Sequence, residues 1–163
     1  MENASDRRPY IIAGALLAAS LIFCSACALY RKLHPNLDQE IAGPVSVSSE
    51  WMEILPEEPL KPEREVQQVL IWFAQPYATN ADGIISPDGH TFHPEVQLID
   101  QRGDAYNLRI SGISSSGIAL SCCKEGYRPL PKDRKYRAVR IRSDRPVSGS
   151  KVVWRCYNPW DRK

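Results

Sequence analysis

The chain begins with one long apolar segment and continues, after a proline-rich stretch, into a region where apolar and polar residues alternate. The segment from Tyr10 to Tyr30 contains no charged residue and no proline. A helix rises about 1.5 Å per residue, so this length is close to the roughly 30 Å of a membrane hydrocarbon core. The pattern predicts a transmembrane helix over residues 10–30, preceded by a polar tail of residues 1–9.

Three interpretations of the apolar segment stay open from the residues alone. A permanent signal anchor is favoured by its length and by the tyrosines at both ends, which suit the membrane interface. A cleaved signal peptide would fit the small-x-small pattern Ala26-Cys27-Ala28, and a lipid-modified Cys27 is the third interpretation. Basic residues flank both ends of the segment, but the short tail favours a C-terminal domain outside the cytoplasm.

Residues 31–65 show no helical or strand periodicity and contain five prolines. The charged run LPEEPLKPERE offers little apolar surface to offset the entropy of an ordered chain. We therefore expect a semi-extended juxtamembrane linker that holds the following domain away from the membrane.

From Val66 onward the pattern has period two, and short strand-like runs alternate with turn signals about every 8–12 residues. Tyr106, Leu108 and Ile110 are expected on one face of a strand, with polar residues on the other. No helical period is present in this region. Residues 66–163 are therefore predicted to form one all-β domain, an antiparallel β-sandwich of the jelly-roll kind.

Composition narrows the functional classes only slightly. The formal net charge of +2 argues against a general nucleic-acid binder.

Two of the five cysteines lie in the apolar segment. In an extracytoplasmic domain, Cys122 or Cys123 could pair with Cys156, with Cys123–Cys156 as the candidate disulfide, whereas a cytoplasmic domain would keep all three thiols reduced.

The last two predicted strands carry the candidate ligand site. Arg140 and Arg142 should point outward from one strand, and Arg155 and Tyr157 from the next. If the two strands pair as a hairpin, these side chains share a basic surface that suits carboxylate, phosphate or sulfate groups. An anionic glycan, a lipid headgroup or an envelope protein would be the ligand. The alternative is a solvated face on which carboxylates neutralise the arginines.

Aromatic residues form the second candidate set, made up of Trp72, Trp154, Tyr157 and Trp160. Trp154 is expected in the core, whereas Trp160, after Pro159, is a candidate sugar-stacking residue. The short strands, the arginine-rich penultimate strand and the tryptophan near the end resemble discoidin-like and other carbohydrate-binding sandwiches. That resemblance implies a sandwich fold and is limited to the domain.

The other motifs give little indication of a metal-binding, recognition or catalytic site. His90 and His93 fall on opposite faces of an extended chain, so no metal or other cofactor is predicted. Arg102-Gly103-Asp104 spells an integrin-type tripeptide, but it occupies a predicted hairpin turn that favours these residues for backbone reasons. No catalytic motif is present, so we expect no enzyme; a cysteine-based enzyme is the alternative.

The combined pattern predicts a single-pass, membrane-anchored protein that displays a β-domain for binding a glycan or another envelope component. One alternative is a structural subunit of a membrane complex, because small residues in the apolar segment permit close helix packing. Another is a secreted or lipid-anchored form after signal cleavage. The oligomeric state is not indicated by the sequence.

Overall fold

The computed structural model describes Ser25 and residues 37–80, 83–85, 89–122 and 130–158. Residues Asn36–Arg162 form one compact unit. The predicted anchor over residues 10–30 lies outside the described residues except for Ser25, and the predicted tail, Cys123 and Trp160 also lie outside them. The described residues contain no helix with the length and hydrophobicity of a membrane span.

The domain is all-β, as the period-two pattern predicts, and every strand pair is antiparallel. The strands are β1 (Leu37–Ala42), β2 (Val45–Val47), β3 (Met52–Ile54), β4 (Val66–Phe73), β5 (Ala78–Asn80), β6 (Gly83–Ile85), β7 (Thr91–Phe92), β8 (Pro94–Asp100), β9 (Ala105–Ser114), β10 (Gly117–Ser121), β11 (Tyr136–Ser143) and β12 (Val147–Tyr157).

Nine strands form one sheet in the order β1-β12-β4-β10-β9-β8-β11-β3, with β2 also paired to β12. Strands β5, β6 and β7 form a separate small sheet. The two ends of the large sheet belong to one short stretch of chain, because β1 and β2 pair with β12 while β3 pairs with β11. The sheet therefore curves until residues 37–60 connect its two edges.

Two backbone contacts extend this connection beyond the strands. The Ser143 amide donates to the Ser48 carbonyl at 2.8 Å, and Leu60 and Tyr136 exchange two hydrogen bonds of 2.9 Å. Leu60 and Val47 are buried in the core together with Ile54. The predicted linker over residues 31–65 is thus wrong for residues 37–60. Pro44, Pro56 and Pro59 fall between strands and leave the paired segments intact, which composition alone does not show.

The core follows the predicted alternation. Val152, Trp154 and Cys156 of β12 point inward, and so do Val139 and Ile141 of β11. Along β9, the inward set of Tyr106, Leu108 and Ile110 is also confirmed. One continuous cluster of apolar side chains fills the interior of the curved sheet.

Strands β11 and β12 do not form the hairpin on which the predicted basic surface depends. β11 pairs with β8 and β3, and β12 pairs with β4, β1 and β2. The N-terminal strands add to both β11 and β12 on the sides where the two would otherwise meet. Arg140 and Arg142 therefore do not share a strand pair with Arg155 and Tyr157.

The predicted turn at residues 100–104 is confirmed and is organised by a buried carboxylate. Asp100 is 1% exposed, and its Oδ1 accepts hydrogen bonds from the amides of Arg102 and Asp104 at 2.8 and 2.9 Å. Its Oδ2 accepts from Arg134 Nη1 at 2.5 Å. Gly103 has a φ of +94°, a conformation that glycine adopts without a steric penalty. This network links the β8–β9 turn to the segment before β11.

We expect the Asp100 network to make stability depend on pH. Burial raises the pKa of Asp100, but hydrogen bonds from the Asp104 amide, the Arg134 guanidinium and the Arg102 amide outweigh it, so the pKa falls below the ordinary 3.8. A lowered folded-state pKa contributes stability above the unfolded value, and this is lost as the pH falls through the folded value. Asp100→Asn should therefore lower the Tm most near neutral pH, and the difference from wild type should shrink below about pH 4.

Thermal unfolding followed from neutral to acidic pH tests this expectation. Asp133→Asn is the matched control, because Asp133 is an exposed carboxyl in the neighbouring loop. A difference between wild type and Asp100→Asn that stays constant across the whole pH range would contradict the charge-based account.

Candidate functional site

The two predicted site residues on β11 point outward, as expected, but each is paired with a carboxylate. Arg140 Nε lies 2.6 Å from Glu53 Oε2. Arg142 Nη2 contacts both carboxylate oxygens of Glu95, at 2.8 and 3.0 Å, and its guanidinium carbon lies 4.5 Å from the centroid of the Trp51 ring. These contacts occupy the guanidinium groups of Arg140 and Arg142, which lie on a half-exposed face of β11.

Arg155 on β12 is neutralised in the same way. Its Nε and Nη2 lie 2.7 and 2.6 Å from the two oxygens of Asp38, and this contact raises the pKa of the guanidinium. Tyr157 is buried outside the core cluster, and Trp160 lies outside the described residues. Asp38 and Glu53 both belong to the segment predicted as a linker. The structure therefore does not bring the predicted residues together as one basic surface.

We expect these ion pairs to mask the arginines from anions. A variant carrying Asp38→Asn, Glu53→Gln and Glu95→Gln should elute from a heparin column at higher salt than wild type, because three guanidinium groups lose their counter-charges. The matched control carries Glu50→Gln, Glu57→Gln and Glu58→Gln, which changes the net charge equally without freeing an arginine. Equal shifts for both variants would show that net charge alone governs retention.

The two cysteines in the described part of the domain are buried and are not in a disulfide. Cys156 Sγ donates to the Lys61 carbonyl at 3.4 Å, and burial raises the pKa of this thiol. Cys122 Sγ lies 4.0 Å from Gln67 Oε1. The structure thus lacks the predicted Cys123–Cys156 disulfide, since Cys156 carries a free thiol. A protonated, buried thiol is a poor nucleophile.

His90 and His93 are exposed on either side of β7, and the His93 amide donates to Asp144 Oδ1 at 2.8 Å. In the described ranges, no three His, Cys, Asp or Glu side chains are grouped so that they could hold a metal ion. Asp104 of the integrin-type tripeptide forms an ion pair with Arg134 at 2.9 Å.

The outer face of β12, β4, β10 and β9 carries a depression that the sequence analysis did not identify. The strand register places Val153, Leu70, Ala119 and Gly112 in one row across the four strands. Side-chain size decreases along this row from Leu70 on β4 through Ala119 on β10 to Gly112 on β9. The surface is therefore lowest at Gly112. The resulting cavity of about 230 Å³, here called the outer groove, is lined by Leu70, Ile71, Trp72, Gly112, Ile113, Ser114, Gly117, Ile118, Ala119 and Arg155.

The walls of the outer groove are mainly apolar. Trp72 points away from the core and is partly exposed, and Ile113 is 41% exposed. The turn that carries Ser115 and Ser116 is held by backbone hydrogen bonds of 2.9 Å from Tyr77 and Phe73. This fixes the end of the groove next to Ile113. A partly exposed indole beside an apolar floor suits a flat ligand with an apolar face.

Two glycines shape the floor in different ways. A Cβ on Gly117 would lie 2.6 Å from the Ile71 carbonyl oxygen, so this position allows β10 and β4 to approach closely. A Cβ on Gly112 would meet only the Ala119 Cβ, at 3.7 Å, which is ordinary contact. Gly112 therefore leaves open space in the floor that a larger side chain could fill.

Comparison of the chain with protein-family models, with curated proteins and with solved structures finds no match in any of the three. The chemistry of the exposed surfaces is therefore the basis for assigning a function.

Proposed function

We propose that this chain is a single-pass membrane-anchored protein whose β-domain binds a glycan of the cell envelope in the outer groove. The apolar segment Tyr10–Tyr30 is the anchor in this proposal, and the domain lies outside the cytoplasm.

The observation that carries the proposal is the apolar, partly exposed Trp72 beside a glycine floor on the outer face of the sheet. Sugar rings present apolar C–H faces that stack on an indole, and the groove places Ser114 and Arg155 at its margin for hydroxyl groups. The guanidinium of Arg155 is already paired with Asp38, so a neutral sugar fits this margin better than a strongly anionic one.

The fold part of the proposal is a sandwich of the jelly-roll kind. One half of the curved sheet contains β12, β4 and β10, and the other contains β8 and β11. Side chains from both halves contribute to the same apolar cluster, as Ile71 and Val139 do. Facing halves with a shared core are the arrangement of a sandwich.

A glycan array probed with the full-length protein in detergent tests the binding function. Trp72→Ala should reduce the apparent affinity for the bound glycan at least about tenfold, because aromatic anchors dominate such contacts. Gly112→Leu should have a comparable effect by filling the floor. Trp51→Ala is the matched control, since Trp51 stacks on Arg142 outside the groove. No bound glycan, or an equal loss in Trp51→Ala, would contradict the proposal.

The second candidate function is a structural subunit of a membrane complex. The apolar lining of the outer groove and the exposed Ile113 favour a protein contact as much as a sugar contact. Native mass spectrometry of the full chain purified in mild detergent separates the two candidates. A stoichiometric partner lost in an Ile113→Lys variant would favour the subunit, and a monomer would contradict it.

A further inference from the structure

Strand β1 has an unpaired edge in the described part of the chain. It occupies the first position of the large sheet and pairs only with β12, through residues from Leu37 to Ala42. An edge strand presents backbone N–H and C=O groups that another extended chain can pair with. β1 therefore has the basic requirement for accepting an additional strand.

The unpaired edge lies beside a continuous groove. A cavity of about 700 Å³ is bordered on one side by residues 39–43 and on the other by Leu55, Glu57 and Glu58. A second cavity of about 280 Å³ continues it, since both share Gln39 and Glu58 in their linings, and it ends against Trp154 and Cys156. We call the two together the edge groove. It follows β1 along its whole length and shares no lining residue with the outer groove.

The edge groove has exposed apolar residues at both margins. Leu55 is 66% exposed and Leu37 is 36% exposed, and these are two of the three exposed large hydrophobic residues among the described ones. Alternate side chains of an added strand would point toward such margins, because side chains alternate along a strand. The groove thus offers contacts for side chains as well as for the backbone.

The charges of the edge groove indicate the chemistry of its occupant. Glu40, Glu57 and Glu58 are exposed, and within the described residues none of them forms an ion pair. This contrasts with Asp38 and Glu53, whose carboxylates are each held by an arginine. A second copy of β1 would bring its own carboxylates into the groove and be repelled. A basic extended segment would be attracted, so the same glutamates exclude one partner and select another.

We propose that the edge groove binds an extended basic segment of another protein, which adds to β1 as a further strand. Backbone hydrogen bonds to the β1 edge supply the alignment. The side chains of Leu37 and Leu55 contact apolar residues of the segment, and Glu40, Glu57 and Glu58 select its lysines or arginines. The interaction is independent of glycan binding in the outer groove.

The test uses the full-length protein in detergent and a fluorescent peptide of alternating lysine and valine, capped at both ends and matched to β1 in length. Fluorescence anisotropy measures binding. We expect this peptide to bind, and a peptide of alternating glutamate and valine not to bind. The double variant Glu57→Lys, Glu58→Lys should weaken the lysine peptide at least about tenfold through charge reversal in the groove. Glu50→Lys, a change of the same kind at an exposed residue outside the groove lining, should have little effect.

A backbone-modified peptide separates strand addition from simple charge attraction. N-methylation of alternate residues on either edge of the lysine peptide removes amide donors but keeps all charges, and at least one of the two modified peptides should bind at least about tenfold more weakly. Equal binding by both modified peptides and the unmodified one would overturn the proposal. It would also be overturned if the unmodified peptide does not bind, or if Glu50→Lys weakens binding as much as the groove variant.

Discussion

A chain that starts at Val66 is expected not to fold, whereas a chain that starts at Asn36 is expected to unfold cooperatively. The shorter chain lacks β1, β2 and β3, which cover the edges of β11 and β12. It also lacks the buried side chains of Val47, Ile54 and Leu60. Losing a single large apolar side chain from a core costs about 2–5 kcal/mol, and whole domains are stable by only about 5–15 kcal/mol.

Circular dichroism and two-dimensional amide NMR spectra of the two chains check this expectation. The chain from Asn36 should give dispersed amide signals and a single thermal transition, and the chain from Val66 should give neither. Leu60→Ala in the longer chain provides a graded control, with an expected loss of about 2–5 kcal/mol. A cooperative transition in the chain from Val66 would show that residues 37–60 are an accessory to the domain.

Replacement of Gly117 by alanine is expected to destabilise the domain by about 2–3 kcal/mol, because overpacking a close backbone contact forces the strands apart. The added Cβ would lie 2.6 Å from the Ile71 carbonyl oxygen and 3.2 Å from the Trp72 Cα. Both are backbone atoms of β4, which is paired on its other side with β12. They cannot move away without disturbing that second ladder.

Gly112→Ala is the matched control for this substitution, because it adds the same methyl group to the neighbouring strand. Its nearest contact, the Ala119 Cβ at 3.7 Å, needs no adjustment, so the stability should change by less than about 1 kcal/mol. Urea unfolding of the two variants and wild type gives the comparison. Equal destabilisation by both alanines would contradict the close-contact explanation. A stable Gly112→Ala variant would also show that the floor of the outer groove can be filled without loss of the fold.

For the predicted ligand site, strand alternation gives the orientation of the arginines but not their ion-pair partners. The sequence indicates correctly that Arg140 and Arg142 point outward from β11, since this depends only on strand alternation. It did not reveal that Glu53 and Asp38 reach Arg140 and Arg155, because these partners are 87 and 117 residues apart in sequence. Pairing over such separations depends on sheet order, which local pattern does not encode.

The sequence pattern also does not reveal the outer groove, because the residues that form it lie on different strands. Trp72 stood out as an aromatic residue, but the depression beside it is formed by Gly112 and Gly117, which lie on two other strands. Only the register of β4, β10 and β9 places these residues side by side. The signal for the groove is a small residue paired with an outward-facing tryptophan, as Gly117 is with Trp72. Recognising it requires the strand register.

Elements with strong local patterns could be assigned from the residues alone. Alternation assigned Tyr106, Leu108 and Ile110 to the inner face of β9, and turn residues located the Asp100–Asp104 hairpin, because both depend on contacts between near neighbours. The role of residues 37–60, by contrast, depends on long-range pairing. Their short strands have no periodicity long enough to be recognised, and they become ordered only by pairing with the two edges of a sheet whose other strands follow them in the chain.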